Sequence, residues 1–225
     1  MKSGTKRKIV VVAAIVAIIS ILSVGTLAWY SDTQEKVNKF IVSSDQQGDP
    51  DFSVDVQESV DDTATDVVPT VITDNEGNPT GLQYDDILPG DFLSKEPKAV
   101  NTGAYDEYIR VTVTLVPDDA TKWAAIAGTK TVKDYLESVS ADFVYDDAAS
   151  DALVAVFYYN KILAPGESTA DVFKGFNVPS EMTVENSIIS LDLKVKADAV
   201  QTRNIVDPTA YATVAEAAKA AFALV

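Results

Sequence analysis

Two runs of alternating residues do most to limit the folds open to this chain. Residues 108–115 read YIRVTVTL, setting Ile109, Val111, Val113 and Leu115 against Arg110, Thr112 and Thr114. Residues 189–199 repeat the pattern, with Ile189, Leu191, Leu193, Val195, Ala197 and Ala199 against Ser190, Asp192, Lys194, Lys196 and Asp198. Successive strand side chains point to opposite faces, so each run has one apolar face to be covered and one that meets water. Such strands need a sheet packed against a second layer. Further β-type runs follow the same logic. Residues 52–56 alternate, and 67–73 and 81–88 flank the turn formers of 74–79, which predicts a hairpin. Residues 152–159, ALVAVFYY, are apolar throughout and read as a strand buried on both faces.

Helices are predicted in two places. Trp123, Ile126 and Ala127 have helical spacing behind a cap at Asp118 or Asp119, and Gly128 is a stop. Thr131 and Asp134 fit a capping box, with Val132, Tyr135, Leu136 and Val139 as the apolar face of a second short helix. Together they make residues 118–139 a helical insertion. Thr213 and Glu216 form another capping box. Val214, Ala217, Ala218, Ala221, Phe222 and Val225 then line a closing helix over 213–225.

The first 28 residues read differently. Lys2, Lys6, Arg7 and Lys8 precede an apolar run of 16 residues, 9–24, interrupted by Ser20 and Ser23. Small residues follow, with Thr26 and Ala28 in a small-x-small arrangement. This is the order of a secretory signal helix, and it places cleavage between Ala28 and Trp29. A retained anchor is the competing reading, but the run is short of the roughly 20 residues a spanning helix needs. The mature chain, 29–225, has the length of one domain. Its first part, 29–51, is an N-terminal extension: Trp29 and Tyr30 open it, Phe40, Ile41 and Val42 form a second β-type stretch, and residues 43–51 are a loop.

Removing the signal leaves 14 cations against 34 acids, a formal charge of −20, where the whole chain carries −16. Such a surface repels nucleic acid and anionic headgroups, so the membrane is met only through the signal. The chain has no cysteine and no histidine. Disulfides, thiolate chemistry, Ser-His-Asp triads and the common zinc sites are therefore excluded. No catalytic residue and no metal ligand is assigned. The acidic pairs Asp61-Asp62, Asp85-Asp86, Asp118-Asp119 and Asp146-Asp147 read as turn and cap residues. Calcium is the ion that such hard oxygens suit best. The grouping Asp142, Asp146, Asp147 and Asp151, however, lacks the glycine and terminal glutamate of an EF-hand loop.

Four motifs occur in order: Gly25-Thr26-Leu27-Ala28-Trp29-Tyr30-Ser31-Asp32; Pro89-Gly90-Asp91 with Lys95, Pro97, Asn101 and Gly103; Tyr158-Tyr159 with Leu163, Pro165-Gly166-Glu167, Thr169 and Phe173; and Ala199-Val200-Gln201. In these the chain resembles the TasA/camelysin family of bacterial exported proteins. The resemblance implies a mainly β, jelly-roll-like antiparallel β-sandwich with short inserted helices and a C-terminal helix. It implies processing by a dedicated SipW-type signal peptidase. It also implies a secreted structural protein that self-assembles into extracellular or biofilm-matrix fibres outside a Gram-positive-type cell. The camelysin label implies a surface endopeptidase as an alternative, and a monomeric surface-binding domain is a third reading. For assembly, the N-terminal segment with Trp29, Tyr30, Val37 and Phe40 is expected to add as a strand to a neighbour's sheet. The competing expectation is that it folds back as an edge strand of its own domain.

Overall fold

The computed structural model describes residues 30–31, 53–182, 190–203 and 205–225. The expected signal segment, Thr26, Ala28, Trp29, Val37 and Phe40 lie outside the described residues. Among the described residues the fold is mainly β, with antiparallel sheets and two α-helices.

The described residues form twelve strands in chain order: β1 (Tyr30–Ser31), β2 (Val54–Ser59), β3 (Thr70–Thr73), β4 (Pro79–Tyr84), β5 (Phe92–Ser94), β6 (Glu96–Asn101), β7 (Glu107–Pro117), β8 (Leu136–Glu137), β9 (Phe143–Tyr145), β10 (Val154–Tyr159), β11 (Gly175–Asn177) and β12 (Leu191–Gln201). The helices are α1 (Ala120–Ala127) and α2 (Val214–Phe222). A seven-stranded sheet has the order β3-β4-β1-β12-β7-β10-β9. Smaller sheets are β5-β11-β8 and β2-β6. Among the described strands every pairing is antiparallel except β1 with β12.

The two alternating runs become the central pair. β7 and β12 stay in register from Leu191 opposite Pro117 to Gln201 opposite Glu107. Their apolar faces, Ile109 to Leu115 and Leu191 to Ala199, join Val54 and Val56 of β2, Leu93 of β5, Ala99 of β6, Leu136 of β8 and Phe176 of β11 in one core. β10 is buried along its length, as its unbroken apolar run requires. The hairpin forms between β3 and β4, with Asp74 accepting from the N–H groups of Glu76 and Asn78.

Three expectations are corrected. The second inserted helix is a single 3-10 turn, Val132–Tyr135. The capping box at Thr131 and Asp134 does form, but Leu136 and Glu137 leave the turn to pair with Phe176 and Gly175. A tertiary partner there overrides local helical spacing. The outer face of β12 is not wet to its end. α2 covers it, burying Val200 and Asp198 with Tyr108, Val156 and Tyr158. Along α2, Ala215 replaces Val214 as the fully buried position and Val225 is exposed, because the helix ends at Phe222.

Candidate functional site

β4 and β12 do not touch as strands. β1 sits between them, with Tyr30 opposite Tyr84 on one side and Leu191 on the other, and Ser31 opposite Gln83 and Asp192. Two residues therefore close an interior position of the seven-stranded sheet. Residues 30 and 31 thus lie in the sheet of their own domain, at an interior place and not at an edge. The strands that receive it are built from the core. Leu82, Tyr84, Leu191 and Leu193 are all buried.

Behind β4 the interior is polar. The Tyr84 hydroxyl donates to the Ser94 carbonyl, and the Lys95 ammonium pairs with the Glu58 carboxylate. Both side chains of the pair are almost completely closed off, at 3% and 2% exposure. Burial pushes the Lys95 amine well below its usual range, and burial together with the Glu58 charge pushes the Tyr84 phenol up. A buried pair of this kind adds little net stability, but removing one partner strands a charge. Sequence reasoning missed both residues. The signal was present in the strand phase: Glu58 follows Val54 and Val56 on one face of β2, and Lys95 follows Leu93 with the same step of two.

The acidic pairs behave as turn and cap groups. Asp61 accepts from the N–H and hydroxyl of Thr63 at 2.9 and 2.6 Å. Asp119 is the N-cap of α1, accepting from Thr121 and Lys122. The grouping around Asp146 does not converge on a common point. Asp142 pairs with Lys161 and Asp146 with Lys219, each at 2.7 Å, while Asp151 accepts from the N–H groups of Leu153 and Val154. Among the described residues no cluster of three potential metal-ligating side chains occurs, and no helix is long and apolar enough to cross a membrane.

No family model, curated protein or solved structure matches this chain.

Two other features stand out. Glu107, at the start of β7, is fully buried with neither carboxylate oxygen hydrogen-bonded, and burial pushes it up to about 8. Asp198 is buried against Arg110, at 2.7 Å, and Lys196, at 2.9 Å, while the Arg110 guanidinium stacks over Phe222 at 4.5 Å. The last contact fastens α2 to the sheet, with about 0.5–2 kcal/mol typical of cation–π pairs.

Proposed function

We propose that this chain is an exported structural protein, a jelly-roll-like sandwich that self-assembles into extracellular fibres by donating its N-terminal strand to the next copy. The observation that carries the reading is the interior position of β1. A two-residue strand fills a place that both β4 and β12 need filled, so the same place accepts Tyr30 and Ser31 of a neighbour equally well. Main-chain hydrogen bonds supply affinity, and the side chains specificity. Each aromatic at the new N-terminus buries about 150–250 Å², worth roughly 4–6 kcal/mol gross before ordering costs. A head-to-tail contact of this type propagates into a filament when its rotation does not close. Processing by a SipW-type signal peptidase between Ala28 and Trp29 gives the segment a short, free beginning. Without the cut, 28 residues would precede the donated strand.

The test is electron microscopy of the purified protein after N-terminal sequencing. The expected sequence begins at Trp29, and the expected particles are filaments. A secreted protein that starts at Trp29 and stays monomeric at high concentration contradicts the reading. So does one that retains residues 9–24 in the membrane.

A further inference from the structure

The outermost strand of the seven-stranded sheet offers a different contact. β3 pairs with β4 on one side and with no described strand on the other. The Thr80 hydroxyl of β4 donates to the Ile72 carbonyl at 3.3 Å, so the main-chain groups of Ile72 face β4. Successive strand residues turn their N–H and C=O groups to opposite edges, which aims those of Val71 outward. Val71 is 53% exposed. All four residues, Thr70, Val71, Ile72 and Thr73, are β-branched, the type that holds extended backbone stiff. Edge strands of monomeric proteins are commonly guarded by a lysine, an inward charge, a proline or a bulge. Residues 67–73, VVPTVIT, contain no charge at all. Pro69 and the register shift between Ile72 and Thr73 bound the open run and so limit its pairing register.

We propose that β3 is a self-recognition edge: two copies of this chain pair their β3 strands antiparallel about a two-fold axis at Val71, joining two sheets into one. The geometry favours a second copy as partner. Antiparallel pairing of one edge with itself obeys the two-fold when opposed residues face the same way, both toward the partner in a hydrogen-bonded pair or both away from it in a non-hydrogen-bonded pair. An axis at Val71 meets that condition, setting Val71 opposite Val71, Thr70 opposite Ile72 and Pro69 opposite Thr73. Val71 then exchanges two hydrogen bonds with its counterpart, and each Thr73 N–H reaches a Pro69 carbonyl, while the proline, having no N–H, donates none in return. Charge points the same way. In a chain of −16, this stretch lets two like-charged copies touch without opposing acids. Four residues bury far less than the roughly 1,200–2,000 Å² of a stable interface, so the lone dimer is weak. Held in rows, many such edges act together. In fibres, which rest on the proposed function, the contact bundles filaments side by side.

The chain has no cysteine, so Val71→Cys in the full chain from residue 29 introduces a single thiol. Across the proposed axis the two Cα atoms lie about 5.5 Å apart, within disulfide range. Val144→Cys on β9, at the opposite edge and 43% exposed, is the control. Under mild oxidation the Val71→Cys chain should form a covalent dimer at least about tenfold faster than the control, because pairing raises the local thiol concentration. Val71→Lys should abolish the non-covalent dimer in sedimentation velocity while leaving circular dichroism unchanged. Cross-linking no faster than the control, or a dimer indifferent to Val71→Lys, overturns the proposal. Cross-linking without filaments keeps the edge contact and overturns the fibre reading; filaments without cross-linking do the reverse.

Discussion

Glu107 begins β7 with its backbone bridged to Leu163 and its carboxyl shut away from water without a hydrogen-bond partner. Burial raises its pKa from 4.5 to about 8, so the folded chain holds a proton that the unfolded chain releases. The sign follows from proton binding. Between about pH 4.5 and 8 the folded state binds more protons, so stability falls as pH rises through that window and levels off above it. The loss is at most about 5 kcal/mol, since one pKa unit is worth about 1.4 kcal/mol. Glu107→Gln should remove this slope. Urea unfolding at pH 5 and pH 9 measures it: the variant should match the parent at pH 5 and exceed it at pH 9. A parent with equal stability at both ends contradicts the assignment. Glu107 stands two residues before Ile109, in phase with the buried face of β7, so strand phase marked its burial. The pairing with Leu163 that shuts it in comes from far along the chain.

Among the elements, β11 shows how tightly the smaller sheet is built. Gly175 lies between the Phe92 ring and the Leu93 carbonyl, and a Cβ there would overlap both. Gly175→Ala should therefore push β5 and β11 apart and lower stability by about 1–3 kcal/mol, the usual range for overpacking. Thermal unfolding followed by circular dichroism measures the loss; an unchanged midpoint would show that the sheet gives way freely. The elements also divide by how legible they were. Caps at Asp119, Asp134 and Thr213 were readable because their hydrogen bonds are local. The strands β7 and β12 were readable because phase alone decides which face is buried, and β10 because its run is apolar throughout. Leu136 was not, since its partner Phe176 lies in another motif, and neither was the cover that α2 places over Asp198. At the candidate site, the β-type character of Tyr30 was legible. Its place between β4 and β12 was not, because pairing with Leu191 joins the two ends of the chain.

At the scale of the whole molecule, assembly sets strand pairing against charge. The expected mature chain carries −20, and copies in a filament repel one another. Screening shortens that repulsion to about 10 Å at 0.1 M salt and about 3 Å at 1 M. Filament formation, followed by light scattering, should therefore quicken with added salt and with acid. Assembly that slows as salt rises would mean that attraction between charges, and not strand pairing, drives the contact. The most direct measurement deletes residues 29–38 from the expected mature protein and examines it by circular dichroism and electron microscopy over a range of salt. The account predicts a folded chain that stays monomeric at every salt concentration, because the position between β4 and β12 has lost its donor. A folded, shortened chain that still forms the same filaments would contradict it.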